Sequence, residues 1–132
     1  MTVTAFAVNH GSWKYAYGYR FDTADRSVVI SGDTGPNQSV AQACHGCDLL
    51  LHEAYSMRWF RQSGADWQRY LSSFHVSTTE LAAIAASAQP KQLVIYHQMF
   101  LPGDDPDSVM LEEIRKAGYK GPVASAHDLE VF

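Results

Sequence analysis

Most of the chemistry this chain can perform rests on six histidines: His10, His45, His52, His75, His97 and His127. Imidazole binds borderline metals and exchanges protons near neutral pH. A lone histidine is more often structural than functional, so grouping matters more than number. His10, His52 and His97 fall at the C-terminal ends of segments that read as strands. Asp33 follows a further strand, within Ser31-Gly32-Asp33-Thr34-Gly35. Open α/β sheets gather ligands at strand ends, where rigid strands carry free loops. Imidazole and carboxylate converging there form a donor set suited to zinc. A second reading of Asp33 is that it stabilises its own glycine-rich turn.

Cys44 and Cys47 form a Cys-His-Gly-Cys unit, and there are no other cysteines. A zinc site built on them would need a second pair. A redox pair is expected to open a helix, where the dipole lowers the thiol pKa. This unit instead closes a predicted helix from Gln38 to His45. The expected role is two small packing residues, with Gly46 as the helix stop.

Alternating strand and helix signals must position these groups. Val3 to Val8, Tyr15 to Phe21 and Ser27 to Ile30 read as an antiparallel meander, with turn chemistry at Asp22-Thr23-Ala24-Asp25. Leu49 to His52 reads as a buried strand, and Ser56 to Tyr70 as a helix interrupted by Gly64. Ser77-Thr78-Thr79-Glu80 is a capping box, and Leu81, Ile84, Ala85 and Ala88 share one face behind it. Pro90 ends that helix. Gln92 to Tyr96 is an apolar strand. Asp105-Pro106 opens a helix with Val109, Met110, Ile114 and Ala117 facing inward, stopped at Gly118. Val123 to Ala126 and Leu129 to Phe132 are expected to close the sheet. The expected class is α/β (α+β): one mixed, mainly antiparallel sheet covered by helices, in a single domain over 1–132.

Composition narrows the function. The chain has 132 residues, 46% hydrophobic and 18% charged, which excludes a disordered chain. Its net charge of -4 comes without a basic stripe, so charge does not support nucleic-acid binding. No apolar run approaches a membrane span, and Met1 to Phe6 lacks a signal core. A soluble cytoplasmic protein is expected. Trp13, Tyr15, Tyr17 and Tyr19 read as sheet packing rather than a substrate entrance.

Six segments in order carry a resemblance: Val8-Asn9-His10, Tyr17-Gly18-Tyr19-Arg20, Ser31-Gly32-Asp33-Thr34-Gly35-Pro36, Leu51-His52-Glu53-Ala54, Phe74-His75-Val76-Ser77-Thr78 and Val94-Ile95-Tyr96-His97. Over nearly its whole length the chain resembles the C-terminal half of metallo-β-lactamase-fold hydrolases. The similar branch contains ribonuclease Z and phosphodiesterase- and arylsulfatase-like enzymes. The resemblance implies half of an αββα sandwich and hydrolysis of an ester-like bond in a small-molecule substrate, phosphodiester first. It implies metal ligation by His10, Asp33 and His97, with Asp33 bridging two ions. Zinc is the expected metal, with manganese or iron as alternatives. His75 resembles the leaving-group acid and Glu53 the residue that orients it.

The family's His-x-His-x-Asp-His run does not occur in these residues. Three ligands are expected to hold metal weakly, because a closed zinc site takes four donors. A lone half also leaves a sheet face without its twin. The expected partner is therefore a second copy of the chain or a complementary N-terminal half. The competing expectation is a non-catalytic binding or structural module that has lost its metal site.

Overall fold

A computed structural model describes all residues, Met1 to Phe132. The elements follow in the order β1 (Thr2–Ala7), β2 (Tyr17–Asp22), β3 (Ser27–Ile30), α1 (Gln38–Cys44), β4 (Leu49–Tyr55) and α2 (Met57–Gln62). They continue with α3 (Ala65–Phe74), α4 (Thr78–Ala88), β5 (Gln92–Met99), α5 (Pro106–Lys116) and β6 (Val123–Ser125). The six strands form one sheet in sequence order, β1-β2-β3-β4-β5-β6.

The meander β1-β2-β3 is antiparallel, but β3-β4, β4-β5 and β5-β6 all pair in parallel. The sheet is mixed, and its antiparallel part is the smaller one. The reason is the connections. Each later strand is reached through at least one helix, and a helical crossover brings the chain back to start from the same end.

Local signals account for the helix ends. Asn37 and Ser56 cap α1 and α2 through their side chains, and Ser77 with Glu80 completes the capping box of α4. Gly64 divides the expected helix from 56 to 70 in two: α2 ends at Gln62, and Gly64 is the N-cap of α3. Ala117 is the exposed C-cap of α5 rather than an inward residue. Residues 129–132 form no strand. Leu129 and Val131 are exposed, and the Phe132 carbonyl accepts from Arg26 at 3.4 Å.

Period-two alternation then sorts the strands into two faces. Val29, Leu50, Ala54, Leu93 and Ile95 pack beneath α1, α4 and α5, against Val40, Leu81, Ala85, Met110 and Ile114. Their neighbours Ile30, Leu51 and Val94 pair across the opposite face, in line with Tyr19. No helix of the main core cluster covers that second face. Tyr17 and Tyr19 stand exposed there, and Trp13 and Tyr15 are exposed before β2. None of the four enters the core: Tyr19 lies beside Phe21 on the sheet surface, with ring centroids 6.4 Å apart, and Trp13 lies 6.0 Å from the His10 ring.

The cysteines also differ from expectation: Cys44 and Cys47 are joined in a disulfide. His45 (φ 37°) and Gly46 (φ 81°) are both left-handed, and this folds the chain back after α1. The Gly46 N–H donates to the Ala88 carbonyl, which holds the turn against α4. No helix is long and apolar enough to cross a membrane.

Glu113 of α5 locks the helical layer. Its carboxylate accepts from the Met57 and Arg58 N–H groups, both at 2.8 Å, and from the Thr78 hydroxyl at 2.6 Å. One side chain thus caps α2 and ties it to α4. Glu113→Ala is expected to cost about 2–3 kcal/mol in urea unfolding. A loss under about 0.5 kcal/mol, the range of neutral surface changes, contradicts this role.

Candidate metal and acid-base centre

Five side chains meet at one end of the sheet: His10, Asp33, Glu53, His75 and His97. Each arrives on a different segment, for a different local reason. His10 lies three residues beyond β1, on a loop bonded to the loop after β3. There the Gly35 N–H donates to the Asn9 carbonyl at 2.6 Å, and the Thr34 hydroxyl donates to the same oxygen at 3.2 Å. Asp33 sits on that second loop. Gly32 before it is left-handed (φ 65°), and a Cβ there would lie 2.6 Å from the Tyr17 carbonyl oxygen, so only glycine fits.

His97 reaches the site through an irregularity in β5. Glu53 pairs with Tyr96 and Ala54 with Gln98, so His97 is the extra residue of a bulge. Its φ of 42° is left-handed, an unfavourable conformation for a residue with a Cβ. His97 is thus within the strand rather than at its end. Its Nδ1 lies 3.2 Å from Asp33 Oδ1.

Glu53 is fully buried on β4, and its Oε1 gathers three groups. The Thr34 and Val76 N–H groups donate to it, each at 3.2 Å, and His75 Nδ1 lies 3.3 Å away. Burial pushes the Glu53 carboxyl above its ordinary range, while His75 and the two N–H groups oppose that rise. Oε2 is buried and has no partner. His75, the C-cap of α3, also places Nε2 3.4 Å from the Tyr70 hydroxyl.

The tautomer of His10 follows from its partner. Nδ1 lies 2.9 Å from the Phe74 carbonyl, which only accepts, so Nδ1 carries the proton. In the neutral ring Nε2 then holds the lone pair needed by a metal. The His10 and His75 rings are 5.4 Å apart, and the His75 and His97 rings 5.6 Å. A cavity of about 600 Å³ opens over them, lined by His10, Asp33, His75 and His97 together with aromatic residues of α2 and α3.

His52 is excluded despite its sequence position. It is one residue from Glu53 and so faces the helices, fully buried. Its Nδ1 bonds the Glu53 carbonyl at 2.8 Å, and burial lowers its pKa to about 4. His45 caps α1, and His127 pairs with Asp107 at 2.9 Å. Tyr70 belongs to the site but was not singled out from sequence. It lies five residues before His75 and one turn before Phe74, on the helical face of Leu71.

Donor chemistry fits a metal. One ligand atom each from Glu53, His75 and His97 lies within 4.8 Å of the others. The unpartnered Oε2 of Glu53 leaves coordinating capacity unused. Nitrogen and carboxylate donors suit zinc, manganese or iron without choosing among them.

Glu53 offers a stability test with a definite sign. Its raised carboxyl means that the folded chain holds the proton more tightly than the unfolded chain. That contribution is present below the unfolded pKa and is lost as pH rises through the folded value. In metal-free buffer at pH 8, Glu53→Gln keeps an acceptor for Thr34 and Val76 and removes the buried charge. It is expected to melt no lower than the parent chain, while Glu53→Ala loses about 2–4 kcal/mol. A Gln variant as unstable as the Ala variant overturns the assignment.

Comparison with known proteins bears on the same residues. The chain is 34% identical over 103 residues to ribonuclease Z of Myxococcus xanthus, covering 78% of this chain and 31% of that protein. It is 29% identical over 97 residues to a putative ribonuclease Z of Mycobacterium tuberculosis, covering 74% and 43%. The chain therefore spans less than half the length of these curated relatives. Among solved structures, the metallo-β-lactamase fold protein YhfI of Bacillus subtilis superposes with a TM-score of 0.71 at 22% identity, over 94% of this chain and 46% of its own. Human tRNase Z, short form, gives 0.63 at 22% identity, over 98% and 42%. At these identities the likeness shows the fold, and the sheet of this chain forms part of it. Residues 1–98 match the beta-lactamase superfamily domain, and the chain belongs to that family.

Proposed function

We propose that this chain is the C-terminal half of a metal-dependent hydrolase of ester-like bonds, with phosphodiesters as the leading class. The observation that carries this reading is the meeting of His10, Asp33, Glu53, His75 and His97 under one cavity, in a relative of ribonuclease Z. His10, Asp33 and His97 would hold the metal. The bound metal supplies Lewis acidity and a nucleophile at neutral pH. His75 protonates the departing oxygen: Glu53 holds its ring through Nδ1, and Nε2, which lies 3.4 Å from the Tyr70 hydroxyl, is the nitrogen left to donate. Phe74 does the same for His10, whose Nε2 then faces no competing proton.

A second reading draws on the grouping of Glu53, His75 and His97 within 4.8 Å, which makes His75 a ligand rather than an acid. Metal content decides between the two. Under the first reading His75→Ala leaves zinc or manganese binding unchanged, while Asp33→Ala and His97→Ala each weaken it. Its kcat is expected to fall by about 10²–10⁴ for alkyl esters and much less for nitrophenyl esters, whose leaving group needs little protonation. Loss of metal from His75→Ala favours the second reading. A chain that binds no metal and hydrolyses no ester, even when mixed with a matching N-terminal half, is a non-catalytic module.

The uncovered sheet face bears on association. Val28, Ile30, Leu49 and Leu51 are only half-buried, beside exposed Tyr17 and Tyr19. A contiguous apolar face of this kind is costly to leave in water. In isolation the chain is expected to pair this face with a second copy, since a two-fold dimer is the simplest closed solution. Light scattering that finds a folded monomer at micromolar concentration would falsify this.

A further inference from the structure

One wall of the cavity is aromatic in a way the proposed chemistry does not require. Trp59 of α2 lies 5.7 Å from Trp67 of α3, and Trp67 lies 5.6 Å from Tyr70, edge to face. Tyr70 stacks on Phe74 at 5.0 Å, and Phe74 meets the His10 ring edge to face at 5.1 Å. This run of rings leads from open solvent down to the histidines. Its outer members are poorly covered: Trp67 is 55% exposed and Tyr70 43%. They are not strays on a polar surface. Trp67, Tyr70 and Phe74 share the helical face of buried Leu71, and Trp67, Tyr70 and Leu71 line the cavity.

The charges in the cavity sharpen the point. Its lining contains no lysine or arginine, while Asp33 and Asp66 both contribute. No side-chain cation is available to recognise an anionic ester away from the histidine cluster. Exposed ring faces are the remaining source of binding energy. The volume of about 600 Å³ accommodates one ring system together with a phosphoryl group.

We propose that the α2–α3 wall is a stacking subsite for a planar ring carried on the ester, with Trp67 and Tyr70 as its specificity-determining residues. Trp67 and Tyr70 therefore favour an ester that carries a ring beside its phosphoryl group over one that carries none. The hydrolase reading supplies the ester, whereas the ring subsite rests on the aromatic geometry alone. Tyr70 also bonds His75 through its hydroxyl, so a bound ring is held next to the group that faces the departing oxygen.

The test uses the purified chain and needs no turnover. Phenylphosphonate, cyclohexylphosphonate and methylphosphonate are titrated with and without zinc, and binding is read from tryptophan emission and ligand-observed NMR. Phenylphosphonate is expected to bind about tenfold more tightly than the cyclohexyl compound, because stacking adds to simple area burial. Trp67→Leu should reduce that preference to about twofold or less while leaving methylphosphonate unchanged, and Tyr70→Leu should reduce the preference likewise. Tyr70→Phe keeps the ring and should keep the preference, which separates stacking from the hydroxyl bond to His75. Adenosine monophosphate, run beside phenylphosphonate, distinguishes a nucleobase from a simple aryl group as the favoured ring. Equal binding of phenyl and cyclohexyl ligands overturns the stacking subsite, with or without metal. Zinc binding is followed separately by calorimetry, and its absence counts against the hydrolase reading alone.

Discussion

The arrangement at the site depends on one buried carboxylate oxygen. Oε1 of Glu53 accepts from Thr34 and Val76 and lies beside His75, so one atom fastens the loop after β3 to the segment after α3. Asp33 precedes Thr34 and His75 precedes Val76, so both are held through their neighbours' backbones. A buried carboxylate is costly unless such donors surround it. The fold meets that cost by placing Glu53 where parallel β4 lies between β3 and β5, within reach of both segments. The same oxygen therefore organises structure and restrains the histidine that faces the cavity.

Around this point, fold and chemistry share their devices. The bulge in β5 breaks the regular alternation and sends His97 to Asp33, at the expense of an unfavourable backbone conformation. Strain of this kind persists where surrounding structure enforces it, and here both neighbouring strands are paired. Two histidines are held by protein groups: the Phe74 carbonyl holds His10 through Nδ1, and His75 lies between Glu53 at Nδ1 and the Tyr70 hydroxyl at Nε2. Both rings are thereby held in a defined orientation before anything binds.

The helical layer supports the site from outside. Glu113 fixes the start of α2, and α2 contributes Trp59 to the aromatic wall. The disulfide after α1 and the Gly46 contact to Ala88 secure the far side of the same layer. Only one face of the sheet receives this support. The other presents tyrosines and half-buried aliphatics, matching the fact that the chain covers less than half of its similar solved structures.

Much of this was legible in the sequence because it is local. The meander, the capping box at Ser77 and the stops at Pro90 and Gly118 rest on spacing over a few positions, whereas the expectations for His10, Asp33, Glu53, His75 and His97 rest on a resemblance, and the structure brings these five side chains to one end of the sheet. What stayed hidden depends on contacts between distant segments. The parallel majority of strand pairs follows from how crossovers pack, and strand propensity is indifferent to direction. His52 and His97 look alike as strand-end histidines. Only the register of β4 against β5 turns one into the core and, through a bulge, brings the other to Asp33. Cys44 and Cys47 read as packing residues until two consecutive left-handed residues bring their sulfurs together. Tyr70 and Trp67 read as one side of an amphipathic helix, and only the placement of α3 over the strand ends makes them a cavity wall. Sequence by itself determined which residue types are present and in what order. Tertiary structure decided which way each one faces, because facing depends on register and packing between segments far apart in the chain.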